Sequence, residues 1–342
     1  MAELGDDVRR VAESTGFSGA VRVHQAGRVT VDTARGMADR AHGIAATTST
    51  RFATASATKG FTALAVMGLV EAGVLGLSTP VRSLLGDDLA LIDDGVTIEH
   101  LLAHRSGIGD YLDEDLIENA SDYVMTRPVH ELTEASAFLS MLDGHEQCFE
   151  PGTQFVYNNG GYVVLALVAE RASGRSYHDL IDELVVRPAG LTGTGFLRSD
   201  ELQGDAARGY LDETGLRSNV FHLPVLGNGD GGIYTTLDDV DALWEALFAG
   251  QIVSAATVTE MIRPRSVDDS GTRRYGLGFW LHGSNDTVLL EGADAGVSFM
   301  AAHRPSTGAA FTVVSNWSGG AWPMARLCTP LMDDRAETLS EI

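Results

Sequence analysis

The pattern of apolar and polar positions divides the chain into distinct elements, of which the first are a hairpin and a buried helix. Residues 2–15 have the periodicity of a short amphipathic helix. Alternating runs over 19–34 turn at Ala26-Gly27, which is typical of a β-hairpin. Over 56–72 apolar residues occupy every face, and Gly73 follows. This stretch predicts a long, largely buried helix that begins at the start of the run.

The rest of the chain changes from helical to strand-like patterns. Between about residue 75 and 235 helical periodicity predominates, at 97–104, 130–142, 160–174 and 176–190. After one more helical stretch at 236–250, four strand-like runs are separated by turn residues, at 275–283, 286–292, 296–304 and 308–317. A last helix is predicted to begin near Ala321.

This order of elements predicts an α+β fold. We expect an antiparallel sheet flanked by helices and formed from both chain ends, residues 1–74 and 236–342. A mostly helical domain, residues 75–235, is inserted between them. The active site is expected at the interface of the two domains.

Charge and composition argue against several kinds of partner. The net charge of −23 would repel nucleic acids and anionic membrane surfaces at long range, so neither is an expected partner. No apolar run approaches the ~20 residues that span a bilayer. The acidic start of the chain does not fit a secretory signal, and we therefore expect a cytoplasmic protein. Cys148 and Cys328 follow no metal or redox spacing, which predicts free thiols.

The strongest chemical feature is a serine and a lysine three residues apart. Only one of the 24 lysine and arginine residues is a lysine, Lys59, and it follows Ser56 by three positions. Residues at this spacing share one face of a helix, so the hydroxyl and the amine can meet. A serine needs a base within hydrogen-bond reach to act as a nucleophile, and a desolvated lysine can lose its proton whereas an arginine cannot. The pair therefore predicts a nucleophile and its base.

A tight loop supplies a second group of polar side chains. Phe149-Glu150-Pro151-Gly152 is followed by Tyr157 and Asn159. The tyrosine offers a hydroxyl that can relay a proton, and the asparagine offers a donor and an acceptor for a substrate amide. An ordinary turn before a helix is the alternative interpretation of this stretch taken alone.

Together these motifs resemble those of the class C β-lactamase-like family, which includes penicillin-binding proteins, D-amino-acid peptidases and esterases of the same fold. FATASATKGFTALAV resembles the nucleophile helix, HLLAHRSGIGDY the L-L-x-H-x-S-G segment, and EPGTQFVYNNGGYVVLALVAERASG the P-G-x-x-F-x-Y-x-N stretch. GDGGIYTTLDDV and YGLGFW also match, so that the resemblance extends from about residue 16 to 316. It implies the family's fold and these roles: Ser56 as nucleophile, Lys59 and Tyr157 as the proton-transfer pair, and Asn159 as a substrate-amide contact.

The third motif of the family is altered in this sequence. Family members have H-x-G or K-T-G on a strand that lines the site, whereas the equivalent residues here are Leu290, Glu291 and Gly292. A leucine thus stands where a basic side chain is expected. Glu291 either faces away or, after a shift of one residue, lies in the site. By the same alignment the backbone N–H of Ala293 completes an oxyanion hole with that of Ser56.

An acyl-enzyme mechanism follows from these roles. Either Lys59 or Tyr157 is the base, since burial lowers the pKa of a lysine and a nearby cation lowers that of a tyrosine. Because the third motif lacks a basic residue, we expect a serine hydrolase that acts on an ester or amide of a small neutral or cationic substrate. The alternatives are a β-lactamase or D-alanyl or D-amino-acid peptidase, a transacylase, and a catalytically inactive binding protein.

No cofactor or metal is expected, and the predicted partner is a small acyl substrate. Residues 227–232 fit G-x-G-x-x-G, but a strand rather than a helix is predicted to follow, which favours a tight turn. His100 and His104 have the spacing of zinc ligands without the H-E-x-x-H pattern, and we expect hydrogen-bonded histidines. The oligomeric state is not predicted.

Overall fold

The computed structural model describes residues 2–114, 117–268 and 270–334. The helices are α1 (Ala2–Ser14), α2 (Thr58–Glu71), α3 (Arg82–Leu85), α4 (Ile98–Leu102), α5 (Leu139–Leu142), α6 (Asn159–Ser173), α7 (Tyr177–Ile181), α8 (Leu237–Phe248), α9 (Ala255–Met261) and α10 (Trp322–Cys328). The strands are β1 (Gly19–Gln25), β2 (Arg28–Arg35), β3 (Met37–Asp39), β4 (Ile44–Ala45), β5 (Phe52–Ala53), β6 (Gly195–Phe196), β7 (Ile233–Thr235), β8 (Ser266–Val267), β9 (Arg273–Tyr275), β10 (Trp280–His282), β11 (Val288–Asp294), β12 (Val297–Arg304) and β13 (Ala309–Ser315).

An eight-stranded antiparallel sheet brings the two ends of the chain together. Its spatial order is β2-β1-β13-β12-β11-β10-β9-β8, and the amino-terminal hairpin joins the carboxyl-terminal meander where β1 pairs with β13. Because successive side chains of a strand point to opposite faces, both faces can be buried at once. Val21, Val23 and Val313 pack against α1 and α10, whereas Ala20 and Val314 belong to the core shared with α2 and α8. The predicted α+β fold with a sheet formed from both chain ends is confirmed.

Helix α2 lies in the centre of the larger core and carries the predicted buried run. Ala63, Leu64, Ala65 and Val66 are each at most 2% exposed, so the helix is enclosed on all sides. Such burial is the reason that its sequence is apolar on every face. The run ends as predicted, with Gly73 in the left-handed region at φ 71°.

The middle of the chain is less helical than its periodicity indicates. The predicted helix over 130–142 is wrong in extent, because only short 3₁₀ turns and the four-residue α5 form there. Leu132 and Phe138 are nevertheless buried in a small cluster of their own, so apolar spacing at this stretch reflects packing of short turns and not one continuous helix. A three-stranded sheet, β5-β7-β6, joins the middle of the chain to the start of α2. The division into 1–74 with 236–342 and 75–235 stays a prediction, and residues 335–342 lie outside the described part.

The structure also describes the two cysteines, the lengths of the helices and the environments of His100 and His104. Cys148 is an exposed and Cys328 a buried free thiol, as predicted. Each helix in the described ranges is too short or too polar to traverse a bilayer. Within the same ranges no group of three or more His, Cys, Asp or Glu side chains could hold a metal ion. His100 forms part of the capping box of α4, and His104 accepts a hydrogen bond in the core, so both histidines are hydrogen-bonded as expected.

Candidate active site

Ser56 lies in a 3₁₀ turn, Ala55–Ala57, which connects β5 to α2. Two flanking threonines fix this turn to β7: Thr54 Oγ1 donates to the carbonyl of Ile233 at 3.1 Å, and Thr58 Oγ1 accepts from the Ile233 N–H at 3.1 Å. The preceding Ala55 has φ 48°, a left-handed conformation that is costly for a residue with a side chain. Ser56 is partly exposed between buried neighbours. The turn therefore presents one hydroxyl to the cleft from a rigid, strained position.

Lys59 is buried in the first turn of α2 and makes three hydrogen bonds. Its Nζ lies 2.9 Å from Ser56 Oγ, 2.8 Å from Asn159 Oδ1 and 2.9 Å from the carbonyl oxygen of Asp230. The side chain is 2% exposed. The predicted serine–lysine pair is thus brought together, and two further elements position the amine.

This environment satisfies Lys59 in either protonation state. The ammonium form uses its three N–H donors on the three oxygens. The neutral amine has two N–H groups, which donate to the oxygens of Asn159 and Asp230. Its lone pair then faces the Ser56 hydroxyl and can accept the hydroxyl proton. Proton transfer from Ser56 to Lys59 therefore needs no rearrangement of the surrounding groups.

Tyr157 lies beside the same pair. Lys59 Nζ is 4.8 Å from the centroid of its ring, a cation–π distance. Burial raises the pKa of the Tyr157 phenol well above 10, with a contribution from Glu114, although a hydrogen bond with Ser56 acts in the opposite direction. The sequence leaves Tyr157 open as the base, which would need a lowered pKa, whereas burial and acidic neighbours raise the pKa of this phenol. Tyr157 is protonated at neutral pH and is suited to donating a proton.

Asn159 begins helix α6 and is held by acidic groups. The Asp110 carboxylate accepts from the backbone N–H groups of Asn159 and Gly160 at 2.5 and 2.8 Å, and burial raises the pKa of Asp110 to about 6 in spite of these bonds. Both N–H donors of the side-chain amide are engaged, on the carbonyl of Leu112 and on Glu114 Oε1, and Oδ1 accepts from Lys59. A substrate carbonyl can reach an N–H group of Asn159 by replacing the exposed Glu114 carboxylate.

Strand β11 approaches the Ser56 turn closely at Gly292. A Cβ atom on this glycine would lie 2.2 Å from the carbonyl oxygen of Thr54 and 2.7 Å from the backbone nitrogen of Ser56. Only glycine permits this contact. The next residue, Ala293, is exposed and borders the cleft. The backbone of this strand is therefore placed against the amide of the nucleophile, as the predicted oxyanion hole requires.

The structure resolves the two orientations that the sequence left open for the third motif. Leu290 is 3% exposed and faces α2, where a Cβ on Gly60 would lie 2.5 Å from its Cδ2 atom. Glu291 lines the cleft and forms an ion pair with Arg273 at 2.5 Å. The leucine therefore fills space against the nucleophile helix, and an acidic side chain borders the site.

The cleft has two lobes that meet at Ser56. The apolar lobe, with a cavity volume of about 240 Å³, is lined mainly by the side chains of Leu112, Ile117, Tyr123, Met125, Leu197, Pro224 and Val225, with Glu114, Asp230 and Asp294 among them. The aromatic lobe, of about 400 Å³, is lined by Phe149, Tyr157, Trp280, Asp110, Asp113, Glu114 and Glu291. Among the described residues, neither lining includes an arginine or a lysine side chain. The acidic side chains of both linings thus have no arginine or lysine side chain among them within the described part of the chain.

Two contributors to the site were missed from the sequence. Asp230 lies in the glycine-rich segment that we interpreted as a tight turn, and its carbonyl binds Lys59 while its carboxylate accepts from the Tyr111 hydroxyl. The one signal in the sequence for Asp230 was its position in GDGGIYTTLDDV, a segment that resembles the family. His104 packs on the Tyr157 ring with centroids 4.3 Å apart, and its Nδ1 accepts from the Asn158 N–H. Burial lowers the pKa of His104 well below 6.5, so it positions these neighbours as a neutral ring.

Asp294, on the wall of the apolar lobe, gives a prediction about stability. Burial raises the pKa of this carboxyl to about 7, with contributions from Asp230 and Glu114. An unfolded aspartic acid loses its proton near pH 4, so between about pH 4 and 7 the folded state binds more protons and loses stability as the pH rises. We expect Asp294→Asn to raise the Tm more at pH 8 than at pH 5, each pKa unit being worth about 1.4 kcal/mol. Thermal unfolding at both pH values checks this, with Glu245→Gln on the exposed side of α8 as control. Equal Tm changes at the two pH values would contradict it.

Several known proteins are similar to this chain in sequence or in structure. The family model described as Beta-lactamase matches residues 6–328. Penicillin-binding protein 4* of Bacillus subtilis (strain 168) is 30% identical over 291 residues, which cover 80% of this chain and 62% of the relative. Esterase EstB of Burkholderia gladioli is 30% identical over 300 residues, 79% of this chain and 75% of the esterase. The crystal structure of a penicillin binding protein from Bacillus halodurans superposes with a TM-score of 0.88 at 31% identity, covering 95% of this chain and 99% of that one.

Proposed function

This chain belongs to the Beta-lactamase family, and on that premise we propose that it is a serine hydrolase of the S-x-x-K type that acts through an acyl-enzyme on Ser56. One observation carries the proposal: Lys59 Nζ lies 2.9 Å from Ser56 Oγ, at the point where the two lobes of the cleft meet. The chain spans 62% of the length of the first curated relatives it matches.

In the first step Ser56 Oγ attacks the acyl carbon. Lys59 takes the serine proton, since its lone pair can face the hydroxyl while its N–H groups stay bonded. The backbone N–H groups of Ser56 and Ala293 bind the oxyanion. The Tyr157 phenol, whose raised pKa keeps it protonated, gives its proton to the leaving group and is reprotonated from Lys59. The Ser56–acyl bond forms and the bond from the acyl carbon to the leaving group breaks.

In the second step a water molecule attacks the acyl-enzyme. One proton of the water passes to the amine of Lys59. The bond between Ser56 Oγ and the acyl carbon then breaks, and Ser56 Oγ takes a proton back from Lys59. The net reaction converts an ester or amide and water into a carboxylic acid and an alcohol or amine. A transacylase differs only in that an alcohol or amine replaces the water.

We propose that the substrates are small neutral or cationic esters or amides. Glu114 and Glu291 border the cleft, and Leu290 stands where a basic side chain would attract a carboxylate. A β-lactam or a D-alanyl peptide brings a carboxylate into this negative environment and loses affinity. The second candidates are therefore a β-lactamase or D-alanyl or D-amino-acid peptidase, a transacylase, and a catalytically inactive binding protein. The cytoplasmic location stays a prediction.

Labelling with a serine-reactive fluorophosphonate tests whether the chain is an enzyme of this type. We expect a fluorescent adduct at one site per chain, formed within minutes and prevented by a short-chain p-nitrophenyl ester. Ser56→Ala should abolish the adduct without lowering the Tm by more than a few degrees, because the side chain is partly exposed. Undiminished labelling of Ser56→Ala, or none of the wild type, would show that Ser56 is not an activated nucleophile.

A further inference from the structure

We infer that the leaving group of the substrate carries the positive charge, as an alkylammonium group bound in the aromatic lobe, and that Glu291 is the residue that selects it. This inference rests on the proposed hydrolase function and assigns the two halves of the substrate to the two lobes.

Tyr157 decides which lobe holds the leaving group. Its hydroxyl gives a proton to the departing atom, so that atom must lie on the side of Ser56 where Tyr157 stands. Tyr157 lines the aromatic lobe and is not part of the apolar lobe. The acyl group therefore extends into the apolar lobe, whose wall is formed by side chains such as Leu112, Met125 and Val225.

The aromatic lobe combines the two features that bind an ammonium group. Trp280 and Tyr157 are partly exposed, line this lobe and lie nearly parallel, at an interplanar angle of 10°, and aromatic rings attract cations. Carboxylates line the same lobe, of which Asp110 and Glu114 are engaged on Asn159 and its helix end. Of the two acids on β11, Glu291 lines the aromatic lobe and Asp294 lines the apolar lobe, and the same strand carries the predicted oxyanion donor Ala293. A leaving group that extends past Ala293 therefore passes this carboxylate.

Glu291 forms an ion pair with Arg273 at the edge of the aromatic lobe. Arg273 Cζ lies 5.5 Å from the centroid of the Trp280 ring, and its Nη2 lies 2.5 Å from Glu291 Oε2. Both side chains are about a third exposed, so a substrate can reach the pair and compete for it. Glu291 lines the aromatic lobe whereas Arg273 does not, so the carboxylate is the end of the pair that a leaving group meets. A cationic leaving group therefore finds a carboxylate there, and the guanidinium that would attract an anionic leaving group is held by Glu291.

Three thioesters with the same acyl group and different thiols measure this preference. They are butyrylthiocholine, its uncharged isostere S-(3,3-dimethylbutyl) thiobutyrate, and the butyryl thioester of 3-mercaptopropionate. Thiol release gives kcat/KM for each with the wild-type chain. We expect the choline thioester to exceed its neutral isostere roughly tenfold, which corresponds to about 1.4 kcal/mol, and the carboxylate to be the poorest substrate.

Two opposite variants test the residues. Glu291→Gln frees Arg273, and we expect it to bring the cationic-to-neutral ratio to one or below and to raise turnover of the carboxylate thioester. Arg273→Gln frees Glu291 and should increase the ratio. Glu245→Gln removes the same charge from a surface position outside both lobes and should leave all three values unchanged.

The outcomes separate the inference from the proposed function. Turnover of the neutral thioester reports the hydrolase, whereas the ratio reports the leaving-group preference. A wild-type ratio near one, or a ratio unaffected by Glu291→Gln in a chain that still hydrolyses the neutral thioester, would overturn the inference alone. Turnover of none of the three would overturn the hydrolase function and the inference with it.

Discussion

Replacing Lys59 by methionine should lower kcat/KM for a p-nitrophenyl ester by roughly 10³-fold, the size of effect expected when a general base is lost. Methionine fills a similar volume, but it removes the Nζ atom that lies 2.9 Å from Ser56 Oγ. The oxygens of Asn159 and Asp230 lose their donor as well, so the free energy of unfolding should fall by about 1–3 kcal/mol. Steady-state kinetics and thermal unfolding of the same preparation separate the two effects.

Lys59→Arg is the informative companion variant. An arginine retains the positive charge but cannot give up its proton at accessible pH. If Lys59 acts as the base, the arginine variant should be as inactive as the methionine variant. Retention of more than a tenth of the wild-type kcat/KM by either variant would show that another group takes the serine proton.

Replacing Gly292 by alanine should reduce kcat by at least about 10²-fold, the effect of losing one oxyanion donor. The added Cβ would lie 2.2 Å from the carbonyl oxygen of Thr54 and 2.7 Å from the nitrogen of Ser56. Contacts this short between backbone and Cβ force the strand and the turn apart. The Ala293 N–H would then no longer lie where it can share an oxyanion with Ser56.

Gly195→Ala is the matched control, because nothing lies within 4 Å of a Cβ built at that strand position. We expect it to keep the wild-type kcat and Tm. Gly292→Ala should remain folded by circular dichroism, since Gly292 and Ser56 border an open cleft. Activity of Gly292→Ala within threefold of the wild type would mean that close approach of β11 does not assemble the oxyanion site.

The fold could be predicted where the pattern of hydrophobic residues in the sequence is strong. The hairpin at Ala26-Gly27 and helix α2 formed as expected, since positive φ at the turn and an all-round apolar surface leave few alternatives. The stretch 130–142 was predicted as one helix and forms short turns instead. Periodicity there could not distinguish a helix from several short turns that bury Leu132 and Phe138 in a separate cluster.

The site could be predicted from the sequence only where its contacts are made by side-chain groups and not by backbone groups. Spacing alone brought Ser56 and Lys59 together, because one helical turn fixes their separation. The carbonyl of Asp230 was not predictable, since any residue has a carbonyl and only the fold delivers this one to the amine. The protonation of Tyr157 required knowledge of its burial and of acidic neighbours such as Glu114, which are far apart in the sequence.

Mass spectrometry of the trapped acyl-enzyme tests the central claim most directly. Arg51 and Lys59 flank the nucleophile, so trypsin releases residues 52–59 as one short peptide. After rapid acid quenching during turnover of p-nitrophenyl butyrate, we predict one butyryl group on this peptide, located on Ser56 by fragmentation and absent from Ser56→Ala. A butyryl group on another residue of the chain, or an unmodified peptide at times when product is being released, would contradict the account.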